Sequence, residues 1–257
     1  MSEPEHQQAP MDFQQRWRQR FEQFARKGTD EAGVAGWTSS GLAARVRNFS
    51  RHWDGRRYGE TWLDAGCGAA TYVRLMADSG ADTIGVDYSL PSLLKAREWV
   101  PACHAWCAAD VTCMPVRTGQ LDGVLCFGVL QALAAPDAAL AELARITRPG
   151  GVVWVDALNA DCLVNRWVRI RRRMRGQGMH LRYDRANDLR GLLFRLGLRD
   201  IEIQWIVILP ERLQWLQPLA ESAFIRAVLG CWPWLARQLC HAFAIRARLP
   251  DHRADLA

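Results

Sequence analysis

From residue 60 onward, short apolar runs alternate with stretches whose apolar positions recur every three or four residues. The runs at 61–63, 83–86, 105–108, 121–127 and 152–155 predict strands. That at 121–127, LDGVLCF, is apolar enough to be covered on both faces. Helical periodicity occupies 71–79, 91–99 and 138–146 between them. Ser89 stands where a helix N-cap belongs, and Pro91 where a first-turn proline is tolerated. Arg148-Pro149-Gly150-Gly151 predicts a turn before the fifth strand. A helix over 187–196 closing on Gly197, a strand over 201–208 and a last strand over 240–248 complete the rhythm. In that last stretch Phe243, Ile245 and Ala247 alternate with Ala244, Arg246 and Arg248. Repeated strand–helix units predict an α/β chain with a doubly wound, mostly parallel sheet.

The flanks follow other patterns. Residues 1–10 are polar and read as a disordered tail. Phe13, Trp17, Phe21 and Phe24 then lie on one face of a helix, which packs on the main domain or covers its site. Residues 33–40 (GVAGWTSS) predict a loop in which Trp37 either packs or closes over a ligand. Ser40 is the expected cap of a helix over 42–53. Pro210, Pro218 and Pro233 divide 209–238 into short helices, with Leu219, Ala223, Phe224, Ala227 and Val228 on one helical face. The expected organisation is a tail (1–10), an N-terminal helical cap (11–54) and a core (55–257). The core carries an Arg-rich segment (159–185) and a helical insertion (209–238) before the last strand.

Composition adds an asymmetry of charge. The chain has 257 residues and a net charge of +6, yet residues 159–257 alone carry +8, supplied by arginine; the only lysines are Lys27 and Lys95. Such local basicity suits phosphate, carboxylate, nucleic acid or an anionic membrane surface, or simply a solvated face. The eight cysteines lack metal spacing: Cys103 and Cys107 have no second pair to complete a site, so no metal is expected. Cys67 and Cys126 fall in apolar surroundings and read as free buried thiols. With no secretory signal in the polar N-terminus, a reducing cytoplasm is the expected location. No apolar run reaches the roughly 18 residues of a membrane span; the longest, 227–236, is broken by Pro233.

The chemistry centres on residues 61–87, TWLDAGCGAATYVRLMADSGADTIGVD. A strand enters a glycine turn at Gly66 and Gly68, a helix follows, and a second strand ends on Asp87. Such a turn lets a ligand approach the backbone, and an acid at that strand tip can hold a ribose diol. As a nicotinamide fingerprint it is incomplete, because Thr71 stands where the third glycine belongs. With Asp64 before the glycines, Asp64-x-Gly66-x-Gly68 instead resembles the first motif of class I S-adenosylmethionine-dependent methyltransferases. Ala109-Asp110-Val111 is similar to their third motif, Leu121–Leu130 to their fourth strand, and Arg148–Gly151 to the turn before their fifth. The type 11 group, which includes quinone- and small-molecule-modifying enzymes, is the nearest likeness.

The resemblance implies a Rossmann-like seven-stranded sheet with an antiparallel last strand, and S-adenosyl-L-methionine as cofactor. It implies that Asp64 orients the glycine loop of Gly66, Cys67 and Gly68 and the methionine amine. Asp87, with Tyr88 beside it, would hold the ribose. Asp110 and Val111 would meet the adenine, and Phe127 the methionine side. The structural alternatives are a turn-stabilising acid for Asp64, a helix N-cap for Asp87 and an ordinary loop acid for Asp110.

The acceptor is written less plainly. Methyl transfer asks chiefly for alignment, and for a base only if the nucleophile gives up its proton reluctantly. His180 and Tyr183 are the first catalytic candidates, with Asp156 and Asn159 as alternatives. Arg166, Arg169, Arg171, Arg172, Arg173 and Arg175 crowd into ten residues; Arg169, Arg172 and Arg173 are the candidates for gripping an anionic substrate. With Trp205, Trp215, Trp232 and Trp234 the same arginines could rest the chain peripherally on the inner face of a membrane. RNA is less favoured, since no RNA-binding module accompanies them. The expected function is methylation, at oxygen, of a small or lipid- or nucleotide-linked anionic acceptor. The alternatives are a carbon-methylating quinone-type enzyme and a non-catalytic S-adenosylmethionine-binding module.

Overall fold

The computed structural model describes residues 13–251 apart from Asp54, Met179 and His180. The expected tail at 1–10 and the candidate His180 therefore lie outside the described residues. Three helices precede the sheet: α1 (Phe13–Lys27), α2 (Glu31–Ala35) and α3 (Ser39–His52). Alternation then runs β1 (Thr61–Ala65), α4 (Thr71–Asp78), β2 (Asp82–Asp87), α5 (Leu90–Trp99), β3 (Ala105–Ala108), β4 (Leu121–Cys126), α6 (Asp137–Ile146) and β5 (Thr147–Leu158). It continues through α7 (Leu163–Met174), α8 (Ala186–Arg195) and β6 (Arg199–Ile206). After a 3₁₀ turn come α9 (Gln217–Ala220), α10 (Ala223–Cys231), α11 (Pro233–Leu239) and β7 (Ala242–Arg248).

The seven strands lie in the order β3-β2-β1-β4-β5-β7-β6. Neighbours among β1–β5 pair parallel, whereas β7 runs antiparallel to both β5 and β6, as expected of the last strand. The central strands β1, β4 and β5 are largely apolar on both faces because helices cover both. Along β4 and beyond, Val124 and Cys126 face one layer with Leu140, Leu143, Leu189 and Leu193; Leu125 and Phe127 face the other with Phe49, Tyr72 and Met76. The order changes direction between β1 and β4, which opens a crevice at their carboxyl ends where α/β folds bind ligands.

Several local expectations are corrected. Residues 33–40 are not all loop: Asp30 caps α2 by accepting from the Gly33 amide, and Gly36 ends that helix in a left-handed conformation. Thr38, not Ser40, caps α3, accepting from the Gly41 amide at 3.1 Å. Arg148–Gly151 lies within β5 as an irregularity of its pairing, which steps from Leu121↔Thr147 to Gly123↔Val152. Trp205 is not a surface tryptophan but packs on Phe243, ring centroids 5.8 Å apart. Leu219 and Phe224, assigned to one apolar face, are exposed.

Candidate functional site

The glycine turn is built by its backbone. The amides of Gly66 and Cys67 both donate to the Val86 carbonyl, at 2.7 and 2.9 Å, so β1 bends over the tip of β2. Gly66 sits at φ 80°, and a Cβ there would fall 2.2 Å from Val129 Cγ2; neither fact tolerates a side chain. The Gly68 amide donates to Asp87 Oδ2 at 2.9 Å and the Ser89 amide to Asp87 Oδ1 at 2.8 Å. Burial raises the Asp87 pKa, and these two bonds oppose the rise. Each carboxylate oxygen keeps a lone pair for a further donor.

Around this turn lies an open cleft. Gly66, Cys67, Gly68, Asp87, Tyr88, Asp110, Val111 and Phe127 all line it. The ninth cofactor candidate does not: Asp64 is buried under the turn, and its Oδ2 has no hydrogen-bond partner. Burial, and then the charge of Asp87, push the Asp64 carboxyl up to about 8. Burial also acts on Asp110, but the Thr112 amide and hydroxyl, with Arg18 nearby, hold it below its ordinary value. Cys67 and Cys126 are buried free thiols. Among the described residues no cluster of His, Cys, Asp and Glu could hold a metal ion.

The roof of the cleft comes from α1. Trp17, Arg18 and Phe21 line it; Arg18 pairs with Asp110, and its carbonyl accepts from the Tyr88 hydroxyl at 3.2 Å. The aromatic face of α1 thus does both things open to it, packing on the core and covering the cleft. Trp37 closes another side, over the Arg45 guanidinium at 4.4 Å. Arg45 in turn donates to Asp156 Oδ2 at 2.7 Å, and the Gly128 amide to Asp156 Oδ1 at 2.6 Å.

A second cavity shares Trp17, Phe21, Ala35 and Trp37 with the cleft and is lined further by Phe24, Arg45, Gln131, Tyr183 and His241. Gln131 Oε1 is buried without a partner. Burial, and then Arg45, lower the His241 pKa to about 4, so the ring is neutral near pH 7. Burial raises the Tyr183 pKa, against the pull of Arg169 and Arg172. Of the catalytic candidates among the described residues, only Tyr183 lines this cavity. Asp156 is committed to Arg45 and Gly128. Asn159 donates to the carbonyls of Arg237 and Cys240, both at 2.8 Å, and neither residue is free to act as a base. Arg169 stacks over Tyr183 at 5.6 Å and donates to the Ala160 carbonyl, whereas Arg172 donates to the Gly178 carbonyl. Arg169, Arg172 and Arg173 line neither cavity. Gln131 and His241 escaped sequence reasoning because a lone amide and a lone imidazole carry no motif.

Residues 63–155 match the family described as a methyltransferase domain. The malonyl-[acyl-carrier protein] O-methyltransferase of Serratia marcescens is 36% identical over 107 residues, 41% of each chain. The ubiquinone biosynthesis O-methyltransferase of Idiomarina loihiensis is 27% identical over 183 residues, covering 65% of this chain and 72% of that one. In fold, the chain is similar to Haemonchus contortus phosphoethanolamine N-methyltransferase 2, solved with phosphomonomethylethanolamine and S-adenosylhomocysteine. That likeness has a TM-score of 0.61 at 18% identity, over 94% of this chain and 61% of that one.

Proposed function

We infer that this chain, whose core is a class I S-adenosylmethionine-dependent methyltransferase domain of the type 11 kind, transfers a methyl group from that cofactor to a small acceptor in the second cavity. The reading is carried by one observation: a glycine turn and the acids Asp87 and Asp110 meet in one cleft beside Phe127. The residues present fit the cofactor. Gly66, Cys67 and Gly68 would take its methionine part, Asp87 with Tyr88 the ribose, and Asp110 with Val111 the adenine. Asp64, with an unpartnered oxygen under the turn and its proton retained near pH 7, places a neutral polar group beneath the ligand. When bound, the cofactor supplies a sulfonium-activated methyl group.

The chain's own contribution is placement and the exclusion of water. Trp17, Phe21 and Trp37 wall both cavities and would hold an acceptor against the cofactor side. The aromatic walls and the neutral His241 favour an aromatic hydroxyl, in line with a relative named for ubiquinone biosynthesis. His241, held neutral, can accept a hydrogen bond from the hydroxyl, while Tyr183, protonated, donates to a second acceptor oxygen. Gln131 Oε1 offers a further anchor. Arg169, beside Tyr183, would attract an anionic substituent, with Arg172 and Arg173 further along the same helix. His180 remains a candidate base by its place in the sequence. Incubation with methyl-labelled S-adenosylmethionine and phenolic, phosphorylated and quinol acceptors tests the reading. Label transferred to oxygen supports it. Transfer to carbon favours a quinone-type C-methyltransferase, and cofactor binding with no transfer favours a binding module.

A further inference from the structure

Helix α7 is amphipathic the wrong way round. A surface helix ordinarily turns its apolar stripe inward. In α7, Leu163, Val164, Trp167, Ile170 and Met174 are 50%, 58%, 58%, 56% and 83% exposed. At 100° per residue these five fall on one face. The residue turned inward is polar: Asn165 is buried, and its side-chain amide donates to the carbonyls of Asn159 and His241 at 2.8 and 2.9 Å. Arginines edge the apolar stripe on both sides, Arg171 and Arg175 on one and Arg166 and Arg173 on the other. Arg171 stacks over Trp167 at 5.1 Å. The helix contains no acidic residue. Beside it, α11 packs on α7 and contributes exposed Trp234 and Leu239, with Trp232 at its N-cap.

We propose that α7 docks this chain on the surface of an anionic lipid bilayer. An apolar stripe bordered by cations is what the boundary between acyl chains and phosphate headgroups accepts: the stripe enters the acyl edge and each arginine finds a phosphate. Trp167 suits that depth, with an apolar ring and an N–H that can stay wet. The other occupants fit worse. A second copy seated on this face would set arginine against arginine, and a nucleic acid would leave the five apolar side chains in water. No helix among the described residues is long and apolar enough to cross a membrane, so α7 would lie in the interface rather than span. The docking does not require methyl transfer. Arg169, which stacks over Tyr183, lies on the opposite side of the helix from that stripe, so docking leaves the second cavity uncovered.

Flotation of the full chain with phosphatidylglycerol–phosphatidylcholine vesicles, and with phosphatidylcholine alone, tests this. The chain is expected to float with the anionic vesicles and to remain behind with the neutral ones. The triple variant Trp167→Glu/Ile170→Glu/Met174→Glu alters only exposed positions and is expected to lower anionic partitioning more than about tenfold. Its circular dichroism and its calorimetric affinity for S-adenosylmethionine are expected to stay unchanged, which separates docking from the cofactor reading. Failure of the parent to float with anionic vesicles overturns the proposal, as does flotation of the triple variant equal to the parent's. Sedimentation showing a dimer that the triple variant dissolves also overturns it, and assigns the face to self-association.

Discussion

The Gly68 amide donates to Asp87 Oδ2 at 2.9 Å, so the acid at the tip of β2 holds the glycine turn that leaves β1. One side chain thereby shapes the turn and faces the cleft. Replacing it should act mainly on binding, because the pairing of β1 with β2 does not depend on it. Asp87→Ala is expected to weaken S-adenosylmethionine by about 3 kcal/mol, roughly a hundredfold in Kd, from the charge-assisted bonds it removes. Calorimetric titration measures this. An unchanged affinity would show that Asp87 serves the turn alone.

Gly66 is the position where a methyl group is least welcome. Its left-handed conformation costs an alanine about 1–2 kcal/mol, before any collision with Val129. Gly66→Ala is expected to lower the urea midpoint accordingly and to abolish cofactor binding. Adding Val129→Ala should recover part of the stability. It should leave the backbone cost in place.

Arg45 and Asp156 form a buried ion pair under Trp37. Arg45→Met leaves a carboxylate buried with only the Gly128 amide as partner, and is expected to cost about 3–5 kcal/mol in chemical denaturation. Arg45→Met/Asp156→Asn, which removes both charges, should be less destabilised than the single variant. A double variant no better than Arg45→Met would mean that packing of the arginine, not its charge, sets the loss.

Asp64 gives the fold a pH dependence of definite sign. Its carboxyl, pushed up to about 8, holds a proton that the unfolded chain, with an ordinary value of 3.8, has already released. Over that window each rise in pH costs stability. Asp64→Asn cannot titrate, so its thermal midpoint should gain on the parent's steadily from about pH 5 to about pH 8. Parallel midpoints across that range would show that Asp64 ionises freely in the fold.

Much of the fold was legible because covered strands are near-continuous apolar runs and their helices carry period 3.6; β3, only four residues long, is read at its observed bounds. The cofactor candidates were legible too, since a glycine turn and strand-tip acids are fixed by chain distance, and eight of the nine line one cleft. Two kinds of feature were hidden. Caps are interchangeable chemically, so Thr38 and Ser40 compete with nothing in the sequence to separate them. Contacts across long chain distance leave no local mark: α1 reaches Asp110, Arg45 reaches Asp156, and His241 meets Gln131 and Tyr183 in the second cavity. The arginine cluster was visible, but which face of α7 turns inward was not, because a buried Asn165 inverts the rule that apolar residues go in.

Calorimetry of the full chain with S-adenosylmethionine and with NADH decides whether the cleft beside Gly66, Asp87 and Asp110 is built for S-adenosylmethionine. Saturable, one-to-one binding of S-adenosylmethionine is expected, with no comparable heat from NADH. Tight NADH binding without S-adenosylmethionine binding would contradict that assignment.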